Sequence, residues 1–369
     1  MELPQVDDLS RLFLDDVPLL DVRAPVEFSQ GAFPNAVNLP LIDDAERQAI
    51  GIEYKQAGQN SAISLGHELV AGELRESRVD AWQTFAEGNP DGILYCFRGG
   101  MRSKLSQQWL FERTGKAMPR VRGGYKAMRR FLLGELDQHF EQIPVVSVGG
   151  RTGSGKTLFL ERFAHSVDLE GLANHRGSAF GNRALPQPAQ IDFENNLAIQ
   201  LLKHRTAHPG QHLLVEDEGR FIGSRHMPLD VSAYFRSSPL VIIEEPPEQR
   251  VQNTLDEYVS RACKEFQALH GAVSGFERWS EQLLDSLGKV KKRLGAVRYQ
   301  ETLATMTQAI ESHRERGDVD AHRAWIAPLL FDYYDPMYDY QMGKNPERIR
   351  FTGDSDAVAD YLGKEFGLL

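Results

Sequence analysis

Cysteine is scarce. Among 369 residues only Cys96 and Cys263 carry a thiol, and neither sits in a Cys-x-x-Cys pair. That excludes a disulfide framework and a cysteine-rich zinc site, and it fits a reducing compartment. Long apolar runs are missing as well. No basic N-terminal segment leads into an apolar stretch, and no run is long enough to span a bilayer. The expectation is a cytoplasmic protein with no membrane partner. Cations are outnumbered, 42 Lys and Arg against 52 Asp and Glu, giving a net charge of −10. Contact with nucleic acid must therefore rest on local basic patches. Neither internal repeats nor low-complexity segments are present. The rest of the composition is that of an ordinary globular protein, with material for two or three domains.

The lone thiol of the N-terminal third stands in a telling place. Gly92-Ile93-Leu94-Tyr95 reads as a short buried strand, and Cys96-Phe97-Arg98-Gly99-Gly100-Met101 as a tight loop. A helix is expected to open at Arg102-Ser103, carried by Leu105, Trp109 and Leu110 and stopped at Gly115. Backbone N–H groups at such a helix mouth, with Arg98 and Arg102, would favour the thiolate, the nucleophilic form. The same amides of Arg98, Gly99, Gly100, Arg102 and Ser103 would hold a tetrahedral anion above the sulfur. Asp21 and Arg23, at the end of another short strand, are expected to pair with each other or with loop backbone and to organise this site rather than react. Between Leu41 and Pro90 lies a charged helical insertion whose Gly66-His67-Glu68 offers an imidazole near the cysteine.

A second anion site follows. Ile143-Pro144-Val145-Val146-Ser147-Val148 is an apolar, β-branched run leading into Gly149-Gly150-Arg151-Thr152-Gly153-Ser154-Gly155-Lys156-Thr157. From Gly150 this satisfies G-x-x-x-x-G-K-[ST] with the strand before it and a helical pattern after it (Leu158, Leu160, Phe163). Gly150, Gly153, Ser154 and Gly155 would wrap a di- or triphosphate, Lys156 would neutralise it, and Thr157 could hold Mg²⁺. Leu213-Leu214-Val215-Glu216-Asp217 is a second strand ending in acids, and either Glu216 or Asp217 is a candidate for the same metal. The polar, glycine-rich run Gly171 to Gly181 offers His175, Arg176 and Ser178 as ligand contacts at the same sheet edge.

Helical patterns dominate from Gln249 to Leu330, and Phe331 to Tyr340 reads as a non-helical aromatic stretch that stacks on bases or closes the helical subdomain. Two basic clusters stand out as candidate nucleic-acid contacts: Arg122, Lys126, Arg129 and Arg130 (with Arg120), and Lys289, Lys292 and Arg293 on the helices. Arg348 to Gly353 reads as a last strand and Ser355 to Phe366 as a helix, returning the chain to the second sheet.

The series Asp21-Val22-Arg23, Glu27-Phe28, Gly31-Ala32-Phe33-Pro34-Asn35-Ala36-Val37-Asn38-Leu39-Pro40, the cysteine loop and Val121-Arg122-Gly123-Gly124-Tyr125 resembles the rhodanese family. Its Cys-x5-Arg spacing is longer than that of many sulfurtransferases and resembles that of phosphate-binding relatives, so a larger tetrahedral anion is expected. The fusion of such a domain to a P-loop resembles the tRNA 2-selenouridine synthase family over essentially the whole chain. The resemblance implies an α/β fold: a rhodanese-like domain at 1–136, a P-loop NTPase-like domain at 137–250 completed by 345–369, and a helical subdomain at 251–344. It further implies a transferase with no tightly bound cofactor beyond Mg²⁺. This enzyme would geranylate the wobble 2-thiouridine of tRNA with geranyl diphosphate at the P-loop. It would then replace the geranylated sulfur with selenium from selenophosphate, with Cys96 accepting, relaying or assisting. The alternative is an ATP-dependent tRNA sulfurtransferase with a Cys96 persulfide.

Overall fold

Parallel strands joined through helices build both halves of the computed structural model, which describes residues 3–368. Two compact units result. The first takes in the chain up to His139 together with Ala189–Lys203, and the second Phe140–Pro188 with His204 onward.

In the first unit five strands lie in the order Gln5–Val6, Arg120–Val121, Ile93–Tyr95, Leu19–Asp21, Ala36–Asn38. Leu19–Asp21 and Ile93–Tyr95 are buried throughout, as parallel strands covered on both faces must be, which is why they read as apolar runs. Their register, Leu20 beside Leu94 and Asp21 beside Tyr95, brings both strand ends level, so Cys96 leaves the sheet next to Asp21. Beside this sheet the charged insertion forms helices Asp44–Leu69 and Gly72–Gly88. Asp43 and Glu46 close a capping box on the first, and Gly58 breaks it midway with φ 83°. Trp82 anchors the second helix, donating to the Leu39 carbonyl at 2.9 Å.

Residues 189–203 depart from the expected division, which placed them wholly with the P-loop domain. Asp192 accepts from the Ala32 amide at 2.6 Å, Asn195 donates to the Ala32 carbonyl at 2.7 Å, and Arg129 donates to Asn195 at 2.8 Å. These bonds satisfy loop backbone that sheet pairing leaves open.

In the second unit the strand order is Ile349–Gly353, Leu240–Ile243, Val145–Gly149, Leu213–Glu216, Ser166–Val167, again all parallel. The chain therefore returns to this sheet near its end, and helix Ser355–Phe366 brings Val358 and Leu362 into one buried cluster with Val146, Val148, Val241 and Ile243. The helix after the P-loop is short, Lys156–Leu160, and Phe163 is buried beyond its end rather than on it. The intervening helices close around Trp279, Leu283, Leu287, Met306 and Trp325. Phe331 to Tyr340 is helical, contrary to expectation: a wide π-type turn Leu329–Tyr334 runs into helix Asp335–Met342. Pro336 sits in that helix's first turn, where a missing N–H costs nothing. Among the described residues no helix is long and apolar enough to cross a membrane.

Leu287, fully buried in the helical cluster, tests this core. Leu287→Ala is expected to cost about 2–5 kcal/mol, read as an earlier urea transition in tryptophan fluorescence, since Trp279 and Trp325 share the cluster.

Candidate active sites

The cysteine loop is held from outside rather than by itself. The Tyr125 amide donates to the Cys96 carbonyl at 2.9 Å, the Lys126 amide to the Phe97 carbonyl at 3.0 Å, and Arg120 to the Gly99 carbonyl at 2.8 Å. Gly124 makes this approach possible, for at φ 57° a Cβ there would lie 2.1 Å from the Cys96 oxygen. With its carbonyls so occupied, the loop keeps its donors free. Among the described residues the amides of Phe97, Arg98, Gly99 and Gly100 donate to no backbone carbonyl. Helix Met101–Thr114 starts at once, one residue earlier than expected, adding the unpaired amides of its first turn. Cys96 is buried at the loop's base, its Sγ 3.2 Å from the Ser103 hydroxyl, which itself donates to the Gly100 carbonyl at 3.1 Å.

Arg102 is fixed by a two-pronged pair with Glu27, one contact at 3.0 Å. Burial pushes the Glu27 carboxyl up, but the Arg102 guanidinium outweighs it, and with the Ala24 amide and Arg47 it holds Glu27 below the ordinary carboxylate value. Glu27 was legible only as part of a signature, since nothing in its spacing names Arg102 as its partner. Asp21 and Arg23 pair as expected, fully buried at 2.6 Å, and Arg23 also donates to the Gly31 carbonyl at 2.9 Å. Arg98 is exposed near the Phe97 ring. His67 is exposed 6.4 Å from the Trp109 ring; with Gly66, Arg98 and Arg102 it borders a groove, and the Cys96 thiol donates to the Ser103 hydroxyl instead.

The second site is a cleft of about 760 Å³ over the P-loop. Gly153, at φ 81°, comes so near the helix behind it that a Cβ would lie 2.5 Å from the Arg250 carbonyl. That helix braces the loop: Asn253 donates to the Gly153 carbonyl at 2.9 Å and Arg250 to the Thr152 carbonyl at 3.0 Å, while Arg250 also pairs with Asp335. Ser154 is buried below, and Lys156 bends back to the Gly150 carbonyl at 3.2 Å. Thr157 Oγ1 donates to Glu216 Oε1 at 3.4 Å, whereas Asp217 is taken by Arg348 at 3.0 Å. The geometry thus separates two acids that the sequence left equal. Burial, then Asp168 and Glu218, pushes the Glu216 carboxyl up to about 8. Glu170 beside it is raised too, by burial first and then by Glu216 and Glu218; no local pattern marks Glu170 as a neighbour of the acids that end the strand.

Arg176 and Ser178 line the cleft, with Arg176 tied to Glu265 at 2.6 Å. His175 lies outside the lining, buried, its pKa lowered to about 4 by burial and then by Lys289, Arg176 and Arg183. Its ring packs against Gly181 and Gly223, where added Cβ atoms would come within 2.8 Å and 2.7 Å. It packs within the loop, outside the lining of the cleft. Of the basic clusters, Lys126, Arg130, Lys289, Lys292 and Arg293 are exposed. Arg122 pairs with Asp7 at 2.9 Å, and Arg129 is consumed by Glu194 and Asn195, which removes it from the candidate tRNA contacts.

Two pH profiles of opposite sign follow. Glu27 is depressed below 4.5, so its pairing stabilises at neutral pH and is lost as pH falls through its folded pKa. Glu27→Gln should melt below wild type at pH 7, with the gap narrowing under acid. Glu216 is raised from 4.5 to about 8, so the folded state loses stability as pH rises across that window. Without ligand, Glu216→Gln should melt above wild type at pH 8, the difference vanishing by pH 4.5. Calorimetry across pH checks both, and parallel profiles for wild type and variants would contradict them.

Comparison with known proteins adds family to geometry. A model described as the tRNA 2-selenouridine synthase AAA domain matches residues 143–367, and one described as a rhodanese-like domain matches residues 5–130. A tRNA 2-selenouridine synthase of Pseudomonas putida (strain W619) is 51% identical over 96% of this chain and 97% of its own. That of Bordetella bronchiseptica is 52% identical over 96% and 97%. Among solved structures, the N-terminal domain of a putative ATP/GTP binding protein from Clostridium difficile 630 is 31% identical over 35% of this chain and 98% of its own, with a TM-score of 0.31. On the full-length identity and the family match together, the chain belongs to the tRNA 2-selenouridine synthase family.

Proposed function

We propose that this protein makes 2-selenouridine at the wobble position of tRNA in two steps, each using one anion cradle. In the first, geranyl diphosphate lies with its diphosphate in the P-loop. A thiocarbonyl carbon is a poor electrophile and sulfide a poor leaving group, so the sulfur is alkylated first. The 2-thiouridine sulfur attacks C1 of the geranyl group, the C–O bond breaks, diphosphate leaves and the base loses its N3 proton. Lys156 and the loop amides stabilise the departing charge. A Mg²⁺ ion accompanying the diphosphate would be held by Thr157 and Glu216, whose buried carboxyl forms no ion pair among the described residues, and would supply further charge neutralisation.

The second step takes place above Cys96. Selenophosphate, a tetrahedral anion, sits in the ring of free amides with Arg102 and Arg98 at its edge. The Cys96 sulfur attacks phosphorus, the P–Se bond breaks and hydrogen selenide is released in place. Selenide then attacks C2 of the S-geranylated base, the C2–S bond breaks, and geranylthiolate leaves and takes up a proton. Water hydrolyses the phosphocysteine, freeing phosphate and the thiol. Ser103, in contact with Cys96, stabilises the sulfur as it departs from phosphorus. The observation that carries the reading is the Cys96 thiol beneath amides that, among the described residues, donate to no backbone carbonyl. The exposed lysines and arginines of the two clusters are the proposed tRNA contacts, and the setting is the cytoplasm.

Cys96→Ala should abolish selenation while geranylated tRNA accumulates, and Lys156→Ala should block geranylation. Mass spectrometry of nucleosides from tRNA incubated with geranyl diphosphate and selenophosphate reads both. Loss of geranylation in Cys96→Ala would overturn this division of labour.

A further inference from the structure

A groove of about 1100 Å³ opens beside the cysteine loop in the first unit. Its walls are apolar: Ile50, Ala62 and Ile63 from helix Asp44–Leu69, Val70 just past it, and Leu105 and Trp109 from helix Met101–Thr114. Its rim carries large apolar side chains in solvent, Ile52 at 48% exposure, Tyr54 at 58% and Met101 at 47%. Such a patch marks a binding surface, and the volume suits a small-molecule site. Three observations select the occupant. The groove is continuous with the anion cradle, since Arg98, Met101 and Arg102 belong to both. It is a concave slot with a cationic mouth formed by Arg47, Lys55, Arg98 and Arg102, suited to an apolar group carried on a polyanion. And the helix forming its outer wall is interrupted at Gly58, so the wall has two segments rather than one rigid rod.

We propose that this groove holds the terpenyl chain of the S-alkylated base while selenium replaces sulfur at the adjoining loop. The inference rests on the two-step reading above. Selenium must form its bond at the same C2 atom whose bond to sulfur breaks. The ten-carbon chain on that sulfur therefore lies within a few bond lengths of the Cys96 loop, where this groove is the apolar surface. Burying the chain orients C2 toward selenide and carries the thiol away once the C2–S bond has broken.

The test bypasses the P-loop step. Full-length protein is given selenophosphate and anticodon stem-loop RNAs bearing S-geranyl-, S-methyl- or unalkylated 2-thiouridine, and kcat/KM for 2-selenouridine formation is measured for each. Wild type should prefer the geranyl substrate by about tenfold or more. Ile63→Trp, which fills the groove, and Ile52→Glu, a rim change at an exposed position that the fold tolerates, should each erase that preference while leaving the S-methyl rate unchanged. An unchanged preference in both variants, or equal losses on both substrates in Ile52→Glu, would overturn the proposal. A fall in sedimentation mass in Ile52→Glu with the preference intact would assign the groove to a second copy of the chain instead. A wild type that selenates unalkylated 2-thiouridine but neither alkylated RNA would instead remove the two-step reading itself.

Discussion

Everything at the cysteine site depends on one backbone contact, the docking of Gly124-Tyr125-Lys126 onto the carbonyls of Cys96 and Phe97. A loop that must present amides to an anion cannot spend them on its own carbonyls. Here the carbonyls are satisfied from a neighbouring segment, so the amides stay open. The contact tolerates no side chain at Gly124, where a Cβ would sit 2.1 Å from an oxygen. The recognisable Gly-Gly-Tyr element is thus the far half of the loop, separated from it only in sequence. The same logic recurs at the P-loop, whose carbonyls at Thr152 and Gly153 are taken by Arg250 and Asn253.

Charge is arranged differently in the two cradles. Around Cys96 the ionised groups are paired in advance, Asp21 with Arg23 and Glu27 with Arg102, which fixes their positions before any ligand arrives. Under the P-loop, Glu170, Glu216 and Glu218 crowd near Lys156, and burial leaves their carboxyls raised. There the packing favours the protonated carboxyl, against the pull of Lys156.

Sequence made much of this legible. The buried parallel strands, the Cys-x5-Arg loop, the P-loop and the final strand that rejoins the second sheet all rest on local rules, namely apolar runs, glycine placement and helix mouths. What was not legible depends on contacts between residues far apart in the chain. Nothing in the spacing distinguishes Glu216 from Asp217 until Arg348, more than a hundred positions on, claims the latter. Arg129 looked like a free cation because Glu194 and Asn195 could not be seen folding back onto it. The aromatic run Phe331 to Tyr340 read as non-helical, whereas Pro336 sits in the first turn of a helix that no local pattern marks.

The return of residues 189–203 to the first unit bears on how the protein is born. Domains of a nascent chain commonly fold in turn as they leave the ribosome. This first unit cannot finish when its apparent last helix emerges, because the groups that satisfy Ala32 and Arg129 are still to be synthesised. It waits until the P-loop and its first flanking segments have also appeared, so a fragment cut near His139 would leave those partners unmet. The two units are distinct as structures yet interleaved in order of synthesis, and neither can be completed wholly before the other has begun.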